Sequence, residues 1–408
     1  MTNRRQFLKT AAGGSLVLSL APTIPSLLLR SAIASPVSSN HDRVLVVIQL
    51  TGGNDGLNTV VPFADDAYSR SRPTLRLPTS DLHRITPELG LHPNMGAMGK
   101  LFAEGHLAVI QGVGCPGLSR DHERALRVWQ TADPDSKGID TGWLGRAADE
   151  LWPTVRPAAP GVFVGDIPRP LGINSATTVI PSLRTAEEAL PERLIVENSA
   201  AFAAAVPTSL LGHVQTTLVT MQAQARRLQA AVASRSPSVE YPTTTLGRDL
   251  LTVARLIRAD LGIRIFHTEH GGGGIGGFDN HANQIGNHCA LLKQLSEAVG
   301  ALTSDLAAQG LLDRVLVLTF SEFGRTVAEN GRRGTDHGGA GPMLLAGGRV
   351  RGGVLGVHPS LTDLQEGALK HHTDFRSVYA TLLAAWLGLP AASILGGEFP
   401  HLQLLSST

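Results

Sequence analysis

Cysteine, aromatic residues and net charge are all scarce in this chain, and each shortage excludes something. Two cysteines, Cys115 and Cys289, in 408 residues rule out a disulfide-dense scaffold and a four-cysteine zinc site. Lys and Arg number 35 against 34 Asp and Glu, a formal charge of +1, and no dense basic tract appears. Nucleic-acid binding, which needs a concentrated basic face, is therefore not expected. Aromatic residues make up 4% and charged residues 17%, yet a 42% hydrophobic share is enough to build a core, so wholesale disorder is excluded. There is no Walker loop, no Gly-x-Ser-x-Gly elbow beyond the N-terminal segment and no His-Glu-x-x-His. The one glycine cluster, Gly271 to Gly274 with Gly276 and Gly277, contains Gly-x-Gly-x-x-Gly after an apolar run. It leads into Phe278-Asp279-Asn280-His281 instead of an apolar helix start, which argues against a dinucleotide site.

A long uninterrupted apolar run is also missing. Gly13, Gly14, Pro22 and Pro25 break the stretch from Ala11 to Leu29, against a membrane anchor. That stretch follows Arg4-Arg5 and precedes Ala32-Ile33-Ala34, so residues 1–34 read as a twin-arginine signal peptide with an Ala-x-Ala cleavage site. The expected partner is the twin-arginine export machinery, and the expected location of the mature protein is periplasmic or secreted. Cleavage removes Arg4, Arg5, Lys9 and Arg30, leaving 31 basic against 34 acidic residues.

Residues 35–408 read as a single α/β domain. Short apolar runs at Arg43 to Leu50, Leu107 to Gln111, Gly161 to Val164, Ile263 to Phe266, Val315 to Phe320 and Pro342 to Ala346 predict buried strands. Helical periodicity predicts helices at His92 to Ala103, His122 to Thr131, Leu210 to Ala233, Leu246 to Asp260, Asn283 to Ala308 and Asp374 to Leu387. This alternation implies a doubly wound, largely parallel sheet with helices on both faces. The Ala/Gln-rich stretch 197–241 reads as a helical insertion.

In such a sheet, ligands bind beyond the carboxyl ends of the strands, and polar residues cluster there. Asp55 follows the first strand, Glu322 the run Val315 to Phe320, and Asp279 with His281 the glycine loop. Asp336 and His337 precede the run Pro342 to Ala346. This inventory of carboxylates and imidazoles suits one or two divalent ions, such as zinc, manganese, magnesium or calcium. Each cluster could singly be a solvated turn; together they favour a metal site. Ser119, Asp121 and His122 open a predicted helix, where free amides stabilise anionic charge. Ser119 or Asp121 is either a nucleophile or a helix cap, and Arg120, Arg124 and Arg325 are candidate anion clamps.

Five segments carry a family resemblance: Leu50 to Thr59, Gly277 to Gln284, Thr319 to Arg325, Gly334 to Gly338 and Thr373 to Arg376. They resemble the exported bacterial domain-of-unknown-function family 1501, which is grouped with the alkaline phosphatase and sulfatase superfamily. The resemblance implies an alkaline-phosphatase-like fold, metal ligation by Asp55, Asp279, His281 and His337, and Glu322 in place of the superfamily's usual Asp. The expected function is an exported metal-dependent hydrolase of phosphate or sulfate esters, acting on a small-molecule or polysaccharide ester. Its catalytic residues would be Ser119, Asp121, His122 and Arg325, its metal ligands Asp55, Asp279, His281, Glu322, Asp336 and His337. The alternative is a non-catalytic periplasmic module that keeps the metal for binding or structure.

Overall fold

Seven consecutive buried residues, Val44–Leu50, form the strand around which the sheet is organised. The computed structural model describes residues 43–135, 138–155, 159–189, 238–272 and 277–406, with positions 226, 229–230 and 232–233. The signal peptide expected at 1–34 lies outside the described residues, as does most of the insertion expected at 197–241 and of the helix expected at Leu210 to Ala233. The five described positions between 226 and 233 are helical.

The main sheet has nine strands: β1 (Val44–Leu50), β2 (Leu107–Gly114), β3 (Gly161–Val164), β4 (Ser182–Leu183), β5 (Ile265–His270), β6 (Val315–Phe320), β7 (Gly341–Gly347), β8 (Gly353–Leu355) and β9 (Thr373–Asp374). Their order is β8-β2-β7-β6-β1-β5-β3-β4, with β9 paired to β2. Every pairing is parallel except the two made by β7. Because side chains alternate along a strand, β1 feeds two cores. Val44, Val46, Ile48 and Leu50 join one, Leu45 and Val47 the other. Helices α1 (Gly96–Ala103), α4 (Thr245–Arg258) and α5 (Gln284–Ala308) cover the first face through residues such as Met98, Leu250 and Leu295. Helices α2 (His122–Thr131), α3 (Trp143–Val155) and α6 (Phe375–Thr381) cover the second, with Trp129, Trp143 and Tyr379 buried. Truncating one such buried leucine, Leu45 for example, to alanine would cost roughly 2–5 kcal/mol.

The doubly wound arrangement agrees with the sequence expectation; several boundaries do not. The strand expected at Ile263 to Phe266 is β5, which starts at Ile265 and runs to His270. Hydrogen bonds to β1 and β3 satisfy its backbone, so His267 and Thr268 can lie buried within it. Residues 92–95 form a turn, and α1 begins at Gly96, since Pro93 interrupts the periodicity. After Thr381 the last predicted helix widens into a π-helical turn, Leu382–Leu387. Helix α3 was not expected.

Topology also delivers the site. Strands β5 and β6 flank β1, so α5 crosses over it and the carboxyl ends of all three meet at one crevice. Strand β7 runs antiparallel to β6; the loop 321–340 between them therefore stays at that same edge. The carboxyl end of β2 leads there too, through residues 115–121 into α2.

Candidate metal centre

The chain after β1 packs so tightly on its neighbours that only glycine fits at two positions. Gly52 and Gly53 have φ of +115° and +79°. A Cβ at Gly52 would lie 2.5 Å from the Asp279 amide nitrogen, and one at Gly53 2.3 Å from the Phe323 ring. Arg325, fully buried, ties the three loops together. Its Nε donates to Gly53 O at 2.7 Å, Nη1 to Thr335 O at 3.0 Å, and Nη2 to Phe278 O at 3.1 Å, to Gly52 O and to Asp279 Oδ1 at 2.6 Å.

On this platform three side-chain atoms form a nearly equilateral triangle. His281 Nε2 is 2.9 Å from Asp279 Oδ1 and 3.0 Å from His337 Nε2, which is itself 3.2 Å from Asp279 Oδ1. His122 Nε2 approaches the other carboxylate oxygen, Oδ2, at 3.5 Å. Ligand atoms around a tetrahedral ion with bonds of about 2.0–2.1 Å lie about 3.3 Å apart. Each imidazole is also oriented from behind. His122 Nδ1 meets Glu322 Oε1 at 3.1 Å, His281 Nδ1 meets Asp336 Oδ1 at 3.0 Å, and His337 Nδ1 meets Arg120 O at 2.6 Å. Oxygen acceptors at all three Nδ1 atoms place the proton there and turn the Nε2 lone pairs inward. Two such lone pairs 3.0 Å apart repel unless a cation or a proton stands between them.

The charges agree with that geometry. Asp279, Glu322 and Asp336 bring three negative charges and Arg325 one positive, an excess that one divalent ion would neutralise. Burial opposes ionisation of Asp279, but the hydrogen bond and charge of Arg325 hold its carboxyl below the usual range. The hydrogen bond to Glu322 raises the pKa of His122. Asp279 and His122 are 41% and 39% exposed, so the centre opens to solvent.

Several sequence assignments change place. Asp55 does not join the centre: it is buried and paired with Arg72, with Nη1 on Oδ2 at 2.6 Å and Nη2 on Oδ1 at 3.0 Å. Gln284 Nε2 adds a third donor. Burial opposes the Asp55 charge, but Arg72 outweighs it and brings the carboxyl down to about 2. Glu322 and Asp336, expected as ligands, stand behind His122 and His281. Glu322 is also fixed by Gly52 N, 2.7 Å from Oε1. His122, expected in catalysis, faces Asp279 and His337 instead. Ser119 and Asp121 serve local structure: Ser119 Oγ accepts from Asp121 N at 3.1 Å, and Asp121 caps α2 by accepting from Arg124 N at 3.0 Å. Ser119 Oγ and Asp121 Oδ1 are each engaged by a backbone amide, in line with the capping alternative left open by the sequence. Arg325 holds loops and a carboxylate and is not a free anion clamp. Arg120 donates to Gln365 O and Glu366 O.

Sequence reasoning missed Arg72, Gln284 and Phe323. The Phe323 ring packs against His337 and His122, with centroids 4.6 and 4.9 Å apart. Only its place within Ser321-Glu322-Phe323-Gly324-Arg325 hinted at a role. Nothing near Ser71-Arg72-Pro73 pointed to Asp55, which lies 17 residues away.

Fold and centre together define a doubly wound α/β protein with a mixed imidazole–carboxylate cluster at the carboxyl edge of its sheet. The chain belongs to the family described as "Protein of unknown function (DUF1501)", whose model matches residues 92–394. That bears out the resemblance read from the motifs; the first of them, Leu50 to Thr59, precedes the matched segment. No curated protein sequence matches the chain. Among solved structures it is similar to the zinc complex of the C-terminal periplasmic domain of EptC from Escherichia coli, at 9% identity and a TM-score of 0.37, covering 76% of this chain and 75% of that one. It is also similar to an alkaline phosphatase superfamily protein from Vibrio parahaemolyticus, at 11% identity and a TM-score of 0.36, over 92% and 77% of the two chains. A putative sulfatase from Bacteroides thetaiotaomicron aligns at 10% identity and a TM-score of 0.35, over 88% and 75%.

Proposed function

We propose that this protein is a metal-dependent hydrolase of phosphate or sulfate esters. The observation that carries the reading is the packing of Asp279 Oδ1 against the Nε2 atoms of His281 and His337, with His122 Nε2 3.5 Å from Asp279 Oδ2 and each imidazole oriented through its Nδ1. This donor set, mixed nitrogen and oxygen with a net negative surround, fits a single borderline divalent ion such as zinc or manganese. A bound ion would supply Lewis acidity, polarising an ester oxygen and increasing the acidity of water. The protein's own part is orientation. Glu322, Asp336 and the Arg120 carbonyl keep the three Nε2 atoms inward, and Arg325 steers Asp279 while locking the loops that carry it. Because Ser119 Oγ is engaged in a local turn and Asp121 Oδ1 caps α2, water is the better candidate for the attacking group. In this reading the mature protein is exported by the twin-arginine machinery and works in the periplasm or outside. Among the described residues no helix is long and apolar enough to cross a membrane.

One observation favours the non-catalytic alternative: Ser119 and Asp121 serve local structure, and Arg325 is held by the loops and by Asp279. Four protein ligands on a tetrahedral ion would leave no open position, whereas three would. Metal analysis of the purified mature protein, combined with aryl phosphate and aryl sulfate hydrolysis before and after chelation, tests the reading. About one divalent ion per chain and chelator-sensitive turnover are expected. Full metal occupancy without turnover of either ester would leave the structural module as the better account. Export is tested by replacing Arg4 and Arg5 with lysine, which should strand the precursor in the cytoplasm.

A further inference from the structure

A second crevice opens at the carboxyl edge of the sheet, where β3 and β5 end against the first turns of α4. It encloses about 530 Å³, within the size range of small-molecule sites. Phe163, Leu246 and Leu291 line it together with three acids, Asp166, Asp249 and Glu269. No Lys or Arg lines it among the described residues. His270, its one imidazole, donates to Leu291 O and is kept neutral by burial, which lowers its pKa to about 4. Asp166 is exposed and 3.8 Å from Arg184, whereas the Glu269 carboxylate lies where a Cβ on Gly272 would collide with it. Asp249 sets the cavity apart. Four acids are buried among the described residues, and the other three are fully engaged: Asp55 by Arg72 and Gln284, Glu322 by Gly52 N and His122, and Asp305 by Ser238, Tyr241 and Gln309, with Arg258 3.9 Å away. Asp249, only 5% exposed, accepts from the Thr268 hydroxyl on Oδ2 at 3.2 Å. Among the described residues its Oδ1 receives no hydrogen bond, and no cationic nitrogen lies within 4.0 Å of either oxygen.

A buried carboxylate without a counter-charge destabilises a fold, and a neutral residue of similar size would line a purely structural cavity better. The group that satisfies Asp249 therefore has to enter from the cavity. A dehydrated divalent ion fits poorly, because the three carboxylates do not converge within 4.8 Å as the ligand atoms of the centre do. A guanidinium fork needs both oxygens of its carboxylate, and Thr268 occupies one. An ammonium group needs a single free oxygen, and its remaining N–H donors can face Glu269 or water. Behind that charge, Phe163, Leu246 and Leu291 offer an apolar wall to a carbon body. We propose that this cavity binds an organic cation, an ammonium group carried on an apolar body, through Asp249. The site needs neither the metal nor ester hydrolysis.

Benzylamine, with benzyl alcohol as its uncharged isostere, tests the proposal on metal-loaded mature protein at pH 8. That pH lies above the value of about 7 to which burial raises the Asp249 carboxyl, so the acid is ionised. Calorimetry should show saturable binding of about one benzylamine per chain and binding of the alcohol weaker by roughly tenfold or more, the usual worth of a hydrogen bond to a charged group. Asp249→Asn keeps the shape and removes the charge, and should weaken benzylamine by a similar factor. Benzylamine should raise the melting temperature of the native protein much more than that of the variant, because a ligand stabilises only the fold that binds it. Metal content should be the same in both proteins. Absence of saturable benzylamine binding to the native protein, equal affinity for the alcohol, or unchanged benzylamine affinity in Asp249→Asn would each overturn the proposal. The comparison of amine with alcohol decides the matter on the native protein alone, whatever the substitution does to folding.

Discussion

Glu322→Gln separates a residue that orients a ligand from one that is a ligand. Glu322 is 1% exposed on its side chain, and its Oε1 accepts from both Gly52 N and His122 Nδ1. Glutamine matches its shape and keeps a carbonyl oxygen in place, so the loop after β1 should persist. The charge is what disappears. Charge-assisted hydrogen bonds are roughly twice as strong as neutral ones, and losing such a partner behind a metal-binding histidine typically lowers metal affinity about 10- to 100-fold. That corresponds to roughly 1.4–2.7 kcal/mol at 25 °C. Asp336→Asn should fall nearer the lower end, because Asp336 is 56% exposed and its charge is already screened by water. Competitive titration of apo-protein with zinc against a chromophoric chelator reads these values, with melting of the apo-forms as a control for folding. Zinc affinity unchanged in Glu322→Gln would refute the orienting role; loss as large as that of Asp279→Ala would make Glu322 a direct ligand.

Removing one partner of the buried Asp55–Arg72 pair, as in Arg72→Leu, should cost about 3–5 kcal/mol by chemical denaturation, since it leaves an uncompensated buried charge. Gly53→Ala should destabilise the protein and lower metal occupancy together, measured by melting and metal analysis, because its Cβ would collide with the Phe323 ring that backs His337. Acid should destabilise the fold through His267, which is fully buried with both ring nitrogens unpartnered among the described residues and whose pKa burial lowers from 6.5 to about 3. Its stabilisation is present above pH 6.5, where both folded and unfolded forms are neutral, and is lost as pH falls toward 3 because only the unfolded form takes up the proton. At pH 4.5 the loss is about 2.7 kcal/mol. Denaturant melts of His267→Phe should be flatter across this window, and an identical pH dependence would refute the assignment. Asp249 works in the opposite sense: burial raises its pKa to about 7, so stability falls as pH rises from about 4 to 7, and Asp249→Asn should be the more stable protein at pH 8 in the same assay.

The sequence alone determined the layers and the edge at which to look. Runs such as Val44–Leu50 and Val315–Phe320 have too few polar side chains for one solvated face, so they had to lie inside a covered sheet, and the ends of such strands had to carry the polar groups. Asp279, His281 and His337 were legible for that reason. Tertiary structure alone decided which charges neutralise one another. Asp55 looked the equal of Asp279 by residue type and position after a strand, but Arg72 reaches it across 17 residues of chain. His122 and Glu322 appeared to have separate roles until the ends of β2 and β6 brought them to 3.1 Å. A carboxylate's function depends on the donors within about 3 Å of its oxygens, and those come from loops far apart in sequence. Hydrophobic periodicity records which face a side chain buries; it contains no information about which distant charge that side chain will meet.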